Sequence, residues 1–247
     1  MSLHGQLGKL PARHDPRSLQ FAKYVPPSQS NLPKEIHWAQ NVPLPWSAKG
    51  NHIWSDCVTT AFAIIIQVVT KNNGHYNNPP DDVVIQDWRE ITGYPANGPP
   101  PGPGTNMLDA LHYWQTIGIG VNRHKITGCS TLNVFTRDDD QIRRALATLG
   151  PFPMGFNCPK SAFDQFDNDE PWTVVDGSPS VGGHCVPLLG YDDNWVWTVT
   201  WGKPKKMSYD FIATFWDEAY PITSNEWKPL GAFDAVSYAA DLPGIRA

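Results

Sequence analysis

The sequence predicts an α+β fold, with helices up to about residue 150 and strands after it. Three observations carry that reading. From Val58 to Val69 the run V-T-T-A-F-A-I-I-I-Q-V-V is apolar around the whole helical circumference, so it must be a buried helix and not a surface one. Trp195 to Trp201 alternates aromatic and aliphatic residues with Val and Thr, the period of a strand. Between them, Gly150–Pro151 stops the last helical pattern with a residue that cannot continue it.

Taken in order, residues 1 to about 50 show no periodicity. Pro11, Pro16, Pro26, Pro27, Pro33, Pro43 and Pro45 hold this stretch extended, with Leu32, Ile36, Trp38 and Trp46 as anchors onto the body. Residues 1–31 are assigned to an extended arm and 32–247 to one domain. Within that domain a helical half covers about 50–149 and a β-rich half about 150–247, and 32–49 crosses between them. The buried helix starts after Ser55 and Asp56, both good N-cap types, and ends at Asn72–Gly74. Val84, Trp88 and Ile91 mark a second helix from about Asp81. P-P-P-G-P-G at 99–104 is a loop, after which Thr105 caps a third helix carrying Met107, Leu111, Trp114 and Ile117. Ile142, Ala145, Leu146 and Leu149 mark a fourth, from about Asp138. Strands are expected at Phe152–Asn157, Val181–Gly190 and Trp195–Trp201.

A formal net charge of −5 without a basic block argues against nucleic acid or an anionic membrane surface as partner. No apolar run reaches membrane-spanning length, and the first residues lack the apolar stretch of a signal peptide. Cys57, Cys129, Cys158 and Cys185 form no CxxC pair and no zinc pattern with the eight histidines, so neither a metal nor another cofactor is expected. The same spacing argues against a disulfide framework and points to a reducing, cytoplasmic setting. Eleven tryptophans and 24 prolines together indicate long, well-packed irregular segments.

Cys57 falls in the first turn of the buried helix, where free backbone N–H groups and the helix dipole favour a thiolate. A thiol nucleophile needs a base, and histidine is the usual one. The best candidate is His184 in G-G-H-C-V-P-L-L-G-Y, because Gly182 and Gly183 allow a chain to approach it closely.

Six segments in order resemble the papain-like cysteine peptidases, over about Leu32 to Gly202. They are L-P-K-E-I-H-W (32–38), Asn51 six residues before Cys57, D-C-V-T-T-A-F (56–62), G-T-N-M-L-D-A-L-H-Y-W-Q-T-I-G-I-G (104–120), L-G-P-F-P-M-G-F (149–156), and G-G-H-C-V-P-L-L-G-Y (182–191) followed by T-W-G (200–202). D-E-A-Y (217–220) resembles uncharacterised bacterial and phage members more weakly. The resemblance implies a nucleophile helix packed against a β-sheet or barrel half, with the active-site cleft between them. It implies Cys57 as nucleophile, His184 as base, Asn51 in the oxyanion hole and Trp201 shielding the histidine. Asp56, Gly104, Thr105, Asn106, Gly182 and Gly183 would line a cleft for an extended peptide. The family's orienting asparagine falls on Val199, whose side chain cannot hydrogen-bond, which leaves Thr200, Asp192 and Asp193 as alternatives. The implied activity is cysteine-dependent hydrolysis of peptide or amide bonds. Transpeptidation, deamidation or cell-wall amide cleavage on the same scaffold, and an inert binding module, are the alternatives. A phage member would be associated with the virion. Residues 1–31 are short for the family's inhibitory pro-segment, and their role stays open.

Overall fold

The computed structural model describes residues 4–25, 32–136, 138–226 and 232–242. Seven helices are described: α1 (Cys57–Asn72), α2 (Asp81–Thr92), α3 (Met107–Thr116), α4 (Asp139–Leu149), α5 (Lys160–Asp167), α6 (Tyr209–Phe215) and α7 (Ala235–Asp241). The strands are β1 (Ile36–His37), β2 (Gly128–Cys129), β3 (Phe152–Pro159), β4 (Ser180–Tyr191), β5 (Trp195–Thr200), β6 (Lys203–Ser208), β7 (Trp216–Ala219) and β8 (Ile222–Thr223). The main sheet runs β6-β5-β4-β3-β7, with β1 also pairing to β4, and its pairings are antiparallel.

The all-round apolar helix is where the sequence puts it. Cys57 through Thr70 are buried without a break, since α1 is enclosed by α3 and by the sheet. Cys57, Val58, Phe62 and Ile66 pack with Met107, Trp114 and Cys185, while Ile64 and Val68 meet Leu189 and Val199. On the other side of the sheet a larger core joins Ile142 and Leu146 of α4, Phe166 of α5 and Phe211 of α6 to Phe156, Val186 and Leu188. Helix α3 is capped by Asn106, whose side chain accepts from Leu108 and Asp109 N–H, one residue later than the expected Thr105. Asp56 sits at the N-cap of α1 without capping it, because its carboxyl is turned into the interior.

One irregularity decides the site. Strand β4 pairs with β5 through Tyr191↔Val196 and Gly190↔Trp197, and then Leu188↔Thr198. Leu189 is the extra residue of a β-bulge, and such a bulge inverts which side chains of the partner strand share a face. Val199 therefore turns with Leu189 toward α1, and Thr200 falls on the face of Leu188, Val186 and His184.

Residues 4–25 do not hang free. Phe21, Tyr24 and Val25 are buried, Phe21 N–H donates to Thr131 O, and residues 4–10 run between the two halves of the molecule. Of the arm as expected, 1–3 and 26–31 lie outside the described residues.

Candidate active site

Cys57 opens α1 and is 1% exposed. The backbone of Gly8 in the arm and of Cys185, the residue after His184 on β4, lies near its sulfur and favours the charged form. The nucleophile helix thus ends against the strand that carries the histidine. Burial pushes the thiol up to about 12, with the Asp56 charge adding to it and Lys9 and the two backbone groups opposing. The expectation of a thiol already poised as thiolate is therefore corrected: loss of water outweighs the helix N-terminus in this state.

His184 is fully buried. Its Nε2 lies 2.8 Å from Thr200 Oγ1, and Nδ1 has no hydrogen-bond partner among the described residues. The thiolate–imidazolium pair is therefore not made in this state. Burial lowers the imidazole to about 3, so the ring is neutral. The Trp201 ring stacks on it at 4.7 Å, and Phe156 and Trp172 meet it edge-on. Trp201 can take that position because Trp201 and Gly202 form the two-residue turn between β5 and β6, with φ values of 48° and 78°, the left-handed geometry of a tight hairpin.

Thr200, brought round by the Leu189 bulge, stands where a histidine-orienting group is needed. Asp192 and Asp193 do not. Asp192 accepts from Asn194 and Trp195 N–H in the β4–β5 turn, and Asp193 lies 3.9 Å from Arg143, at the far end of β4 from His184. Asn51 is buried on the loop before α1, and its side-chain N–H donates to Trp54 O at 3.0 Å. Asp56 is fully buried, neither oxygen has a well-formed hydrogen bond among the described residues, and burial raises its carboxyl well above the usual range, with Asn51 and Thr60 opposing. It supports the loop from inside and does not line the cleft, which corrects its expected place. Asn106, likewise, is committed to capping α3.

The cleft itself is filled by the chain's own arm. Gln6 N–H donates to Asn51 O at 2.7 Å, and Gln6 O accepts from Trp201 Nε1 at 3.2 Å. Gly8 and Lys9 N–H both donate to Gly183 O, at 3.2 and 3.0 Å. Thr105 N–H donates to Gly8 O at 2.7 Å, and Leu10 N–H to Thr105 O at 3.0 Å. Five main-chain bonds and one from the Trp201 side chain tie an extended strand to both walls, the geometry of a bound peptide. The glycines are required by closeness. A Cβ on Gly8 would stand 2.0 Å from Ser55 O, one on Gly5 2.3 Å from Asn51 O, and one on Gly183 2.3 Å from Lys9 O. Gly104 and Gly182 flank the arm at Leu10 and Leu7. Of the residues expected to line a cleft, Gly104, Thr105, Gly182 and Gly183 do so.

Sequence reasoning missed the arm's Gly8 and Lys9 and the acidic partners of Lys9. The G-x-x-G-K spacing at 5–9 is a usable signal, since it pairs close-approach glycines with a charge.

No protein-family model and no curated protein matches the chain. Solved structures do. Xylellain, a cysteine protease from Xylella fastidiosa, superposes with a TM-score of 0.69 at 18% identity, over 91% of this chain and 98% of that one. This is the papain-like fold. A procathepsin B from Trypanosoma congolense matches at TM-score 0.57 and 12% identity, over 91% and 87% of the two chains. The Carica candamarcensis cysteine protease CMS1MS2, solved in complex with E-64, matches at 0.55 and 14%, over 78% and 99%. Among the described residues all four cysteines are free, no helix is long and apolar enough to cross a membrane, and no cluster of three or more His, Cys, Asp or Glu is placed to hold a metal.

Proposed function

We propose that the protein is a cysteine peptidase whose cleft binds an extended peptide. One observation carries this most directly: a peptide, the chain's own residues 4–10, already lies there on main-chain hydrogen bonds to Asn51, Thr105 and Gly183. In the reaction the His184 imidazole takes the thiol proton at Nδ1, and the sulfur attacks the substrate carbonyl carbon. The imidazolium then returns the proton to the leaving amine as the C–N bond breaks, and water cleaves the thioester. Thr200 holds Nε2, and Trp201 keeps water from the ring. The Cys57 N–H at the head of α1 is the oxyanion donor, and Asn51 holds the loop that carries it.

The arm is a bound but unreactive peptide. The Gly8 N–H donates to Gly183 O, and its carbonyl oxygen is held by Thr105 N–H. The structure is thus the blocked form, and the neutral thiol and neutral imidazole belong to it. An inert cleft is the competing reading, favoured by the unpartnered Nδ1. Peptide-amide hydrolysis by a Gly8→Val protein, in which the new side chain cannot fit beside Ser55 O, separates the two. Turnover lost again on adding Cys57→Ala supports the peptidase. No turnover with any peptide of a broad library supports the inert cleft.

A further inference from the structure

The side chain of Lys9 ends in a place no exposed lysine chooses. Its ammonium is fully buried, and all three of its hydrogens are used: on Asp217 Oδ2 at 2.8 Å, on Glu218 Oε1 at 3.1 Å, and on Leu10 O at 2.9 Å. Glu218 is itself 1% exposed and its other oxygen accepts from Tyr220 O–H at 3.0 Å, while Asp217 is 18% exposed. Gly155 of β3 makes the room, for a Cβ there would lie 2.5 Å from Lys9 Cδ and 2.8 Å from Glu218 Cγ. Burying two carboxylates costs several kcal/mol each unless a cation meets them. Two adjacent acids on β7 facing a glycine-floored slot therefore make a site built for a long cationic side chain.

That slot belongs to the cleft. Lys9 is the arm residue whose main chain bridges Thr105 on one wall and Gly183, the neighbour of His184, on the other. Resting on the peptidase reading, we infer that Asp217 and Glu218 form an acidic specificity subsite, which takes the lysine or arginine side chain of a substrate once Lys9 has left it. The arm blocks the cleft by presenting the side chain the subsite selects. Tyr220 is a positioning residue, fixing the Glu218 carboxylate.

The test uses the full chain opened by Gly8→Val, with Cys57→Ala added for binding. Fluorescent peptides identical except for one position, Lys, Arg, norleucine or Glu, are titrated against it. The expected result is at least about tenfold tighter binding of the Lys and Arg peptides than of norleucine, lost in Glu218→Gln and inverted toward Glu in Glu218→Lys. Equal binding of Lys and norleucine peptides, or a preference that survives Asp217→Asn with Glu218→Gln, overturns the subsite. Hydrolysis by the Cys57 protein is read separately. A Lys preference in binding without turnover defeats the peptidase reading and leaves the subsite standing, whereas turnover without preference does the reverse. If Gly8→Val does not fold by circular dichroism, Lys9→Ala, which empties the slot directly, replaces it in the same comparison.

Discussion

Lys9→Ala is the perturbation whose size the structure sets most clearly. The substitution removes the one cation facing two buried carboxylates. Taking one partner from a buried, hydrogen-bonded ion pair costs about 3–5 kcal/mol. Asp217 retains some solvent and Glu218 can take up a proton, so the lower end, about 3 kcal/mol, is the better figure. The loss falls on arm docking, because an undocked arm lets water reach both acids. At 1.36 kcal/mol per decade this raises the open fraction about 100-fold. Iodoacetamide labelling followed by peptide mapping reads it at Cys57, with Cys158 and Cys185 as buried internal references. The wild-type protein should label slowly at Cys57, and Lys9→Ala about 100 times faster while the references stay slow. Lys9→Met, which keeps the stem but not the charge, should resemble Ala. Equal rates in wild type and both variants would refute the ion-pair lock, and fast labelling of all the cysteines would mean unfolding.

Three further outcomes follow from particular groups. Thr200→Val removes the partner of His184 Nε2, a loss of about 1–3 kcal/mol, so kcat of the opened protein should fall about 10- to 100-fold with little change in KM. Restored rate in Thr200→Ser would confirm that the hydroxyl acts through the ring. In the closed protein the thiol is neutral because burial holds it near 12. The open thiol ionises at lower pH, so docking loses ground as pH rises through the open-state value. Cys57 alkylation in Gly8→Val should therefore climb between about pH 6 and 9 while the wild type stays near baseline. Asp56 is buried with its carboxyl raised above 3.8, so the unfolded state loses its proton first and wild-type stability falls as pH rises from there. Asp56→Asn should remove that slope in denaturation curves taken across about pH 4–7, and an unchanged slope would show that the carboxyl is ionised in the fold.

Much of this was legible in the chain. The circumferentially apolar run after Cys57 and the alternation at 195–201 identify the two halves, because both patterns reflect burial that any packing would impose. Helices α5 and α6 were not legible: at eight and seven residues each spans about two turns, too few repeats for a period to stand out in the sequence. Placing Thr200 on His184 Nε2 needed the Leu189 bulge, an extra residue that no pattern in V-P-L-L-G-Y announces. The pair Lys9 and Glu218 joins residues 209 apart, and a charge at the chain's start gives no sign of which acid it will meet. The cleft glycines at 182 and 183 were recognisable as close-approach positions, though not what approaches them: the Leu7 side chain at Gly182 and the carbonyl of Lys9 at Gly183.

The central claim is that Cys57 attacks a peptide carbonyl with His184 as its base. Quenched-flow intact-mass measurement on the Gly8→Val protein with a Lys-containing peptide ester tests it most directly. The expected result is an acyl adduct mapped to Cys57 that forms faster than it is hydrolysed, is absent in Cys57→Ala and is strongly slowed in His184→Ala. An adduct of unchanged rate in His184→Ala, or product formed at full rate without Cys57, would contradict it.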